Sequence, residues 1–140
     1  MDRYINELAK LLIKDTENEG SNWKTIKYNL CVVSTYYHEE LEFITSEGNI
    51  ESLYPSNEDE IFPLLRQAMY EKDSSKGAWY SMTMEIHKDG KFKVDFNYDD
   101  KPNFGIEIDE ERYFVDFQAY PREEQYIPQW LKDIIKKHQK

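Results

Sequence analysis

The densest run of ligand-type side chains is Asp95-Phe96-Asn97-Tyr98-Asp99-Asp100, which begins like the D-x-N-x-D of a calcium loop. The match stops there, because Asp100 stands where such a loop needs glycine and Ile106 where it needs the bidentate glutamate. A strand would also hold Asp95 and Asp99 roughly 13 Å apart, at about 3.3 Å per residue, so they would not share one ion. His38, His87 and His138 lack any H-E-x-x-H or C-x-x-C context and read as solvent-exposed side chains at a strand edge, beside a turn and in the C-terminal tail. Cys31 lies in an apolar run with no neighbouring cation to lower its pKa, which marks a small buried residue rather than a nucleophile. Ser34 and Ser81 have no nucleophile elbow, no G-x-G-x-x-G or P-loop occurs, and adjacent acids such as Glu39 and Glu40 are expected in a chain with 28 of them. The residues therefore point away from an enzyme: no catalytic residue, metal or cofactor is expected, and recognition is the remaining class of function.

The same acidic run forms the second arm of the stretch that specifies its own structure best, Gly77 to Asp100. Its first arm alternates Ala78, Tyr80, Met82, Met84 and Ile86 against Trp79, Ser81, Thr83, Glu85 and His87, and its second alternates Phe92, Val94, Phe96 and Tyr98 against Lys91, Lys93, Asp95, Asn97 and Asp99. Period two with one apolar side predicts a half-buried antiparallel hairpin. A two-residue Asp89-Gly90 turn would pair Ile86 with Lys93 and Met84 with Asp95, mixing the faces. A three-residue loop, Lys88-Asp89-Gly90 with Gly90 in the left-handed conformation, instead pairs Ile86 with Phe92, Met84 with Val94 and Met82 with Phe96. Tyr80, Met82, Met84, Ile86, Phe92, Val94, Phe96 and Tyr98 are thereby expected in the core. The opposite face is expected to be acidic, with Trp79 opposite Asp99. A large aromatic ringed by polar residues anchors a partner or lies beneath a terminal helix, and the candidate contact residues are Trp79, Glu85, Asp95, Asp99 and Asp100.

Around this hairpin, Tyr4, Ile5, Leu8, Leu11 and Leu12 trace one helical face over residues 2 to 14. Trp23 to Ser34 and Tyr36 to Thr45 read as strands, the first buried on both faces near its end, and Ile50 to Leu53 as a short third strand. Ile61, Leu64, Leu65, Ala68 and Met69 predict a central helix that starts near Asp59 to Phe62, with Pro63 in its first turn, and ends by Lys72. Acids from Asp109 to Glu111 open a helix that Pro121 stops, and a last helix covers about Ile127 to His138. Trp23 and Trp130, at element starts, are expected in the core. The expected fold is α+β: one antiparallel sheet of about five strands with an N-terminal helix, a central helix and one or two C-terminal helices packed on it, in one domain over residues 1–140.

The net charge of -10 is unevenly placed. Between Lys27 and Arg66 stand eight acids and no lysine or arginine, and from Asp95 to Glu111 seven acids against Lys101 alone. Such a surface repels nucleic acid and anionic lipid, and suits a basic partner if it has a charged one. Its plainer use is solubility. One cysteine excludes an internal disulfide, no apolar run approaches the roughly 20 residues of a membrane span, and residues 1 to 14 lack the apolar core of a signal peptide. These features fit the cytoplasm, with no membrane association, and a chain that is a monomer or weak oligomer when free.

Residues 77 to 100 resemble the signature of the YezG-like immunity proteins, in which a strand beginning with W is followed by a D/S-G-K-F turn and an F-x-Y-D end. The W-x-x-I strand from Trp23 to Ile26 is similar as well, and Tyr120-Pro121-Arg122 and Ile127-Pro128-Gln129-Trp130 are similar to the ending of the staphylococcal-type members. The resemblance implies a cytoplasmic antitoxin that binds and inhibits a cognate secreted polymorphic toxin, including nucleases exported through the type VII system. It implies stoichiometric binding without catalysis, and it carries no toxin-contact residues onto this chain. A small enzyme or ligand-binding domain with a pocket between sheet and helices is the alternative, and a structural subunit of a secretion assembly is a third.

Overall fold

A computed structural model describes residues 2–139; the outermost positions of the expected 1–140 unit lie outside it. The fold is α+β, with one antiparallel five-stranded sheet and four α-helices. In chain order these are α1 (Asp2–Glu19), β1 (Trp23–Val33), β2 (Tyr36–Thr45), β3 (Ile50–Leu53), α2 (Phe62–Lys72), β4 (Ser81–His87), β5 (Phe92–Asn97), α3 (Glu110–Ala119) and α4 (Gln129–His138). The sheet order is β3-β2-β1-β4-β5, which puts the most apolar strand, β1, in the centre and the two shortest at the edges. The hairpin ladder pairs Met82 with Phe96, Met84 with Val94 and Ile86 with Phe92. Gly90 has φ of 93°, as the three-residue loop requires.

Alternation along β1 serves two cores. Ile26, Tyr28, Leu30 and Val32 face a layer made of α1 and α2, where Leu8, Leu12, Phe62 and Leu65 are buried with them. Val33 points the other way, into a second cluster with Phe104 and with Tyr113, Leu131 and Ile134 of α3 and α4. That second layer covers only the end of the sheet where β1 stops and β4 begins.

An ion pair ties the two layers together. Arg66 of α2 donates to Asp116 of α3 through Nη1 at 2.7 Å and Nη2 at 2.9 Å, and both side chains are almost fully buried. Arg66 Nε donates to the Trp79 carbonyl at 2.7 Å, and Asp116 also accepts from the backbone nitrogen and hydroxyl of Ser34 just beyond β1. Two buried charges are tolerable because their donors and acceptors are so fully used.

The expected first helix ended at residue 14, but α1 continues to Glu19. The extra turn is held by one local bond and by contacts across the fold. Thr16 Oγ1 donates to the Leu12 carbonyl, and the buried Asp15 accepts from Ser56 N and Oγ in the segment after β3. Glu58 sits in the same segment, in a short 3-10 turn against α1, fully buried with neither carboxylate oxygen bonded to a donor. Burial and the neighbouring Asp15 carboxylate push its pKa up to about 8, with Tyr28 also nearby. A carboxyl at Glu58 that keeps its proton relieves the repulsion from the neighbouring Asp15 carboxylate and the cost of burying a second charge.

Two outcomes follow from these buried charges. Because the folded pKa of Glu58 lies above its ordinary value of 4.5, this group's contribution to stability is full below about pH 4.5 and is lost as pH rises through about 8. Glu58→Gln, which keeps the shape and removes the titration, should raise unfolding free energy at pH 7 by on the order of 2–3 kcal/mol and flatten its slope between pH 5 and 8 in urea titrations. Asp116→Ala, which strands the Arg66 charge, should cost about 3–5 kcal/mol by the same measurement.

Candidate interaction surface

The α3–α4 layer leaves the middle and far end of one sheet face uncovered, and the ladder registers place that face in rows. One row runs Ser52, Glu42, Lys27, Glu85, Lys93 from β3 to β5. The next runs Glu40, Asn29, Thr83, Asp95, and beyond it lie His38, Cys31, Ser81, Asn97 at the border of the second core. Glu85 and Asp95 therefore stand together on an open, polar sheet face, about 24 Å wide at roughly 4.8 Å per strand. Their charges are partly answered within the chain, since Lys93 lies opposite Glu85 and 3.7 Å from Asp95. Glu85 also has His87 at 3.6 Å.

Asp99 and Asp100 follow β5 in a turn organised by Asn97, whose Oδ1 accepts from both of their backbone nitrogens at 3.2 Å. The Asp99 carbonyl accepts from Trp130 Nε1 and its exposed carboxylate lies 3.8 Å from Arg122. Among the described residues no group of three metal-ligating side chains is arranged to hold an ion.

Trp79 is not on this face. It is fully buried in the α1–α2 core, stacked at a tilt on Phe96 with centroids 5.2 Å apart. The expected placement opposite Asp99 assumed that alternation runs unbroken through residues 78 to 82, but the chain bends at Tyr80 before β4 begins. The bend sends Tyr80, expected beside Met82, into the second core against Tyr113 and Trp130. Arg122 stabilises the bend: it donates to the carbonyls of Tyr98, Ala78 and Tyr126, and its guanidinium lies 4.9 Å from the Tyr80 ring centroid. The left-handed Gly77 (φ 71°) lets that arginine pass, since a Cβ there would lie 2.6 Å from Arg122 Cγ. Both buried-side arginine anchors thus act on the chain just before β4.

Of the other expected core residues in the hairpin, Met82, Met84 and Ile86 are buried, and Val94, Phe96 and Tyr98 are partly buried against the same cluster. Phe92 is 44% exposed, because it begins an edge strand next to the turn, past the reach of the helical layer. Cys31 is half-buried, with its thiol pKa raised by burial and Sγ donating to the Asn103 carbonyl. Trp23 is buried, and Trp130 packs on the second core. A cleft of about 600 Å³ lies in the loop from Lys101 to Ile108 and is open to solvent.

Comparison with known families bears on the same elements. The family model described as "Immunity protein YezG-like" matches residues 13–130, which takes in every strand, α2, α3 and the start of α4. The chain belongs to the YezG-like immunity protein family. A search of curated proteins found no match. Immunity proteins act by holding a toxin, so in a YezG-like chain a broad uncovered surface is the feature of functional interest. Here the uncovered part of the sheet supplies one, and it brings Glu40, Glu42 and Tyr54 of the β2–β3 side alongside the hairpin acids. From the sequence alone, only the hairpin side of this face was singled out, not Glu40, Glu42 or Tyr54. The signal was present in the alternation of Ile50, Ser52 and Tyr54.

Trp79→Ala should cost about 3–5 kcal/mol in chemical denaturation, as expected for an emptied core site. Asp95→Lys, on the open face, should stay within about 0.5 kcal/mol of the parent protein.

Proposed function

We propose that this YezG-like immunity protein is a cytoplasmic antitoxin that neutralises a basic nuclease domain of a type VII-secreted toxin, of the kind met by staphylococcal-type members. It does so by stoichiometric binding, without catalysis or a cofactor. The observation that carries this is the placement of charge. The stretches from Lys27 to Arg66 and from Asp95 to Glu111 hold fifteen acids, eight and seven, against one lysine between those bounds. Several of these acids stand on the open sheet face. A nuclease must present cations to hold its substrate, and an acidic protein can occupy that surface after fast, electrostatically steered encounter. The same charge disfavours nucleic acid and anionic membrane as direct partners. Among the described residues no helix is long and apolar enough to cross a membrane.

The docking surface is the open sheet face, with Glu85 and Asp95 on it and Asp99 and Asp100 at its rim. A face of this width matches the roughly 800 Å² that a standard interface buries on each partner. The free protein acts as a monomer or weak oligomer, leaving the face available.

Co-expression with the toxin encoded beside this chain should restore growth and yield a 1:1 complex. Its association rate should fall at least tenfold between about 50 and 500 mM salt, where screening shortens to a few Å. Failure to protect against that toxin would reject the antitoxin assignment, and protection with salt-independent association would reject the basic surface.

A further inference from the structure

The open sheet face is not uniform, and its two halves differ in a way that locates the strongest contact. On the hairpin half, Lys93 already lies beside both Glu85 and Asp95. On the β2–β3 half, Glu40 meets His38 at 3.2 Å, and Glu42 lies opposite Lys27 of β1, which it shares with Glu85 and with which no ion pair forms among the described residues. β3 is an edge strand, so one side of its backbone is unpaired. Its residues on this face are Ile50, 64% exposed, and Ser52, with Tyr54 following at the same alternation and 94% exposed. Glu40, Glu42, Asn29, Ser52 and Tyr54 line one cleft of about 260 Å³. An acidic cleft walled by an aromatic ring fits one kind of occupant well: the head of a lysine or arginine, held by carboxylates and by the ring face.

We infer that a cationic side chain of the toxin seats in the cleft between Glu40, Glu42 and Tyr54, making the β2–β3 corner the energetic centre of the docking surface and the hairpin acids its periphery. This rests on the antitoxin reading and deepens it. Tyr54 supplies the large, rigid contact area typical of an interface anchor, and Ile50 extends the apolar contact along the strand. Being almost wholly exposed, Tyr54 contributes little to the core, so its replacement separates binding from folding.

The experiment uses the full chain and the purified toxic domain encoded beside it, with dissociation constants measured by calorimetry at about 150 mM salt and thermal melting of every variant. Tyr54→Ala should weaken binding at least tenfold with unchanged melting. The double variant Glu40→Lys, Glu42→Lys should weaken it a hundredfold or more and reduce the salt dependence. Asp95→Lys should weaken it only two- to fivefold. Binding of Tyr54→Ala and of the double variant within twofold of the parent overturns the inference, as does a loss for Asp95→Lys equal to that of the double variant. In either case parent binding keeps the antitoxin reading intact. No binding by the parent chain rejects that reading itself.

Discussion

The buried pairing of Arg66 with Asp116 is the constraint on which the arrangement depends. Taking both charges out of water costs several kcal/mol per ion unless each is well paired. Here Asp116 accepts four hydrogen bonds, two from Arg66 and two from Ser34, and Arg66 spends its remaining Nε on the Trp79 carbonyl. The pair therefore fixes the end of β1, the approach to β4, one helix of the first layer and one of the second relative to one another. Because these groups must meet, α3 is drawn to one end of the sheet.

Everything distinctive about the surface follows from that position. With α3 and α4 at the end, the rows centred on Lys27 and Asn29 have no helix above them. Polar side chains on those rows are what an uncovered antiparallel face requires. Arg122 works alongside Arg66 by holding the carbonyls of Ala78 and Tyr98, so the segment before β4 is committed to the interior from both sides. The result is an open platform on which most of the exposed polar side chains project from strands, with their spacing set by the ladder. Such a platform can present charge to a partner without the ordering cost that a flexible loop would incur.

The Glu58–Asp15 contact shows the opposite use of acidity. Most carboxylates of this chain are solvated, but these two are brought together under the segment that leads into α2, where burial and the Asp15 carboxylate favour a protonated Glu58. A high count of acids thus has two structural meanings, an exposed field and a buried proton-dependent junction, and composition does not tell them apart.

The hairpin register, the strand order of events along the chain, the helix positions and the α+β class were legible in the residues, because alternation and helical spacing are local and a one-residue slip would have mixed the faces. The acidic character of the surface was equally legible, since formal charge needs no structure. Tertiary contacts decided the rest. Trp79 and Tyr80 exchanged faces because two buried arginines bind the backbone around them, and those arginines come from positions 13 residues away and beyond, outside any local window. α1 gained a turn because Asp15 finds Ser56 across the fold. Phe92 lost its cover because the helical layer ends before the sheet does. Period-two alternation determined which side chains share a face; only long-range packing of charged groups determined which faces are covered and which remain open to a partner.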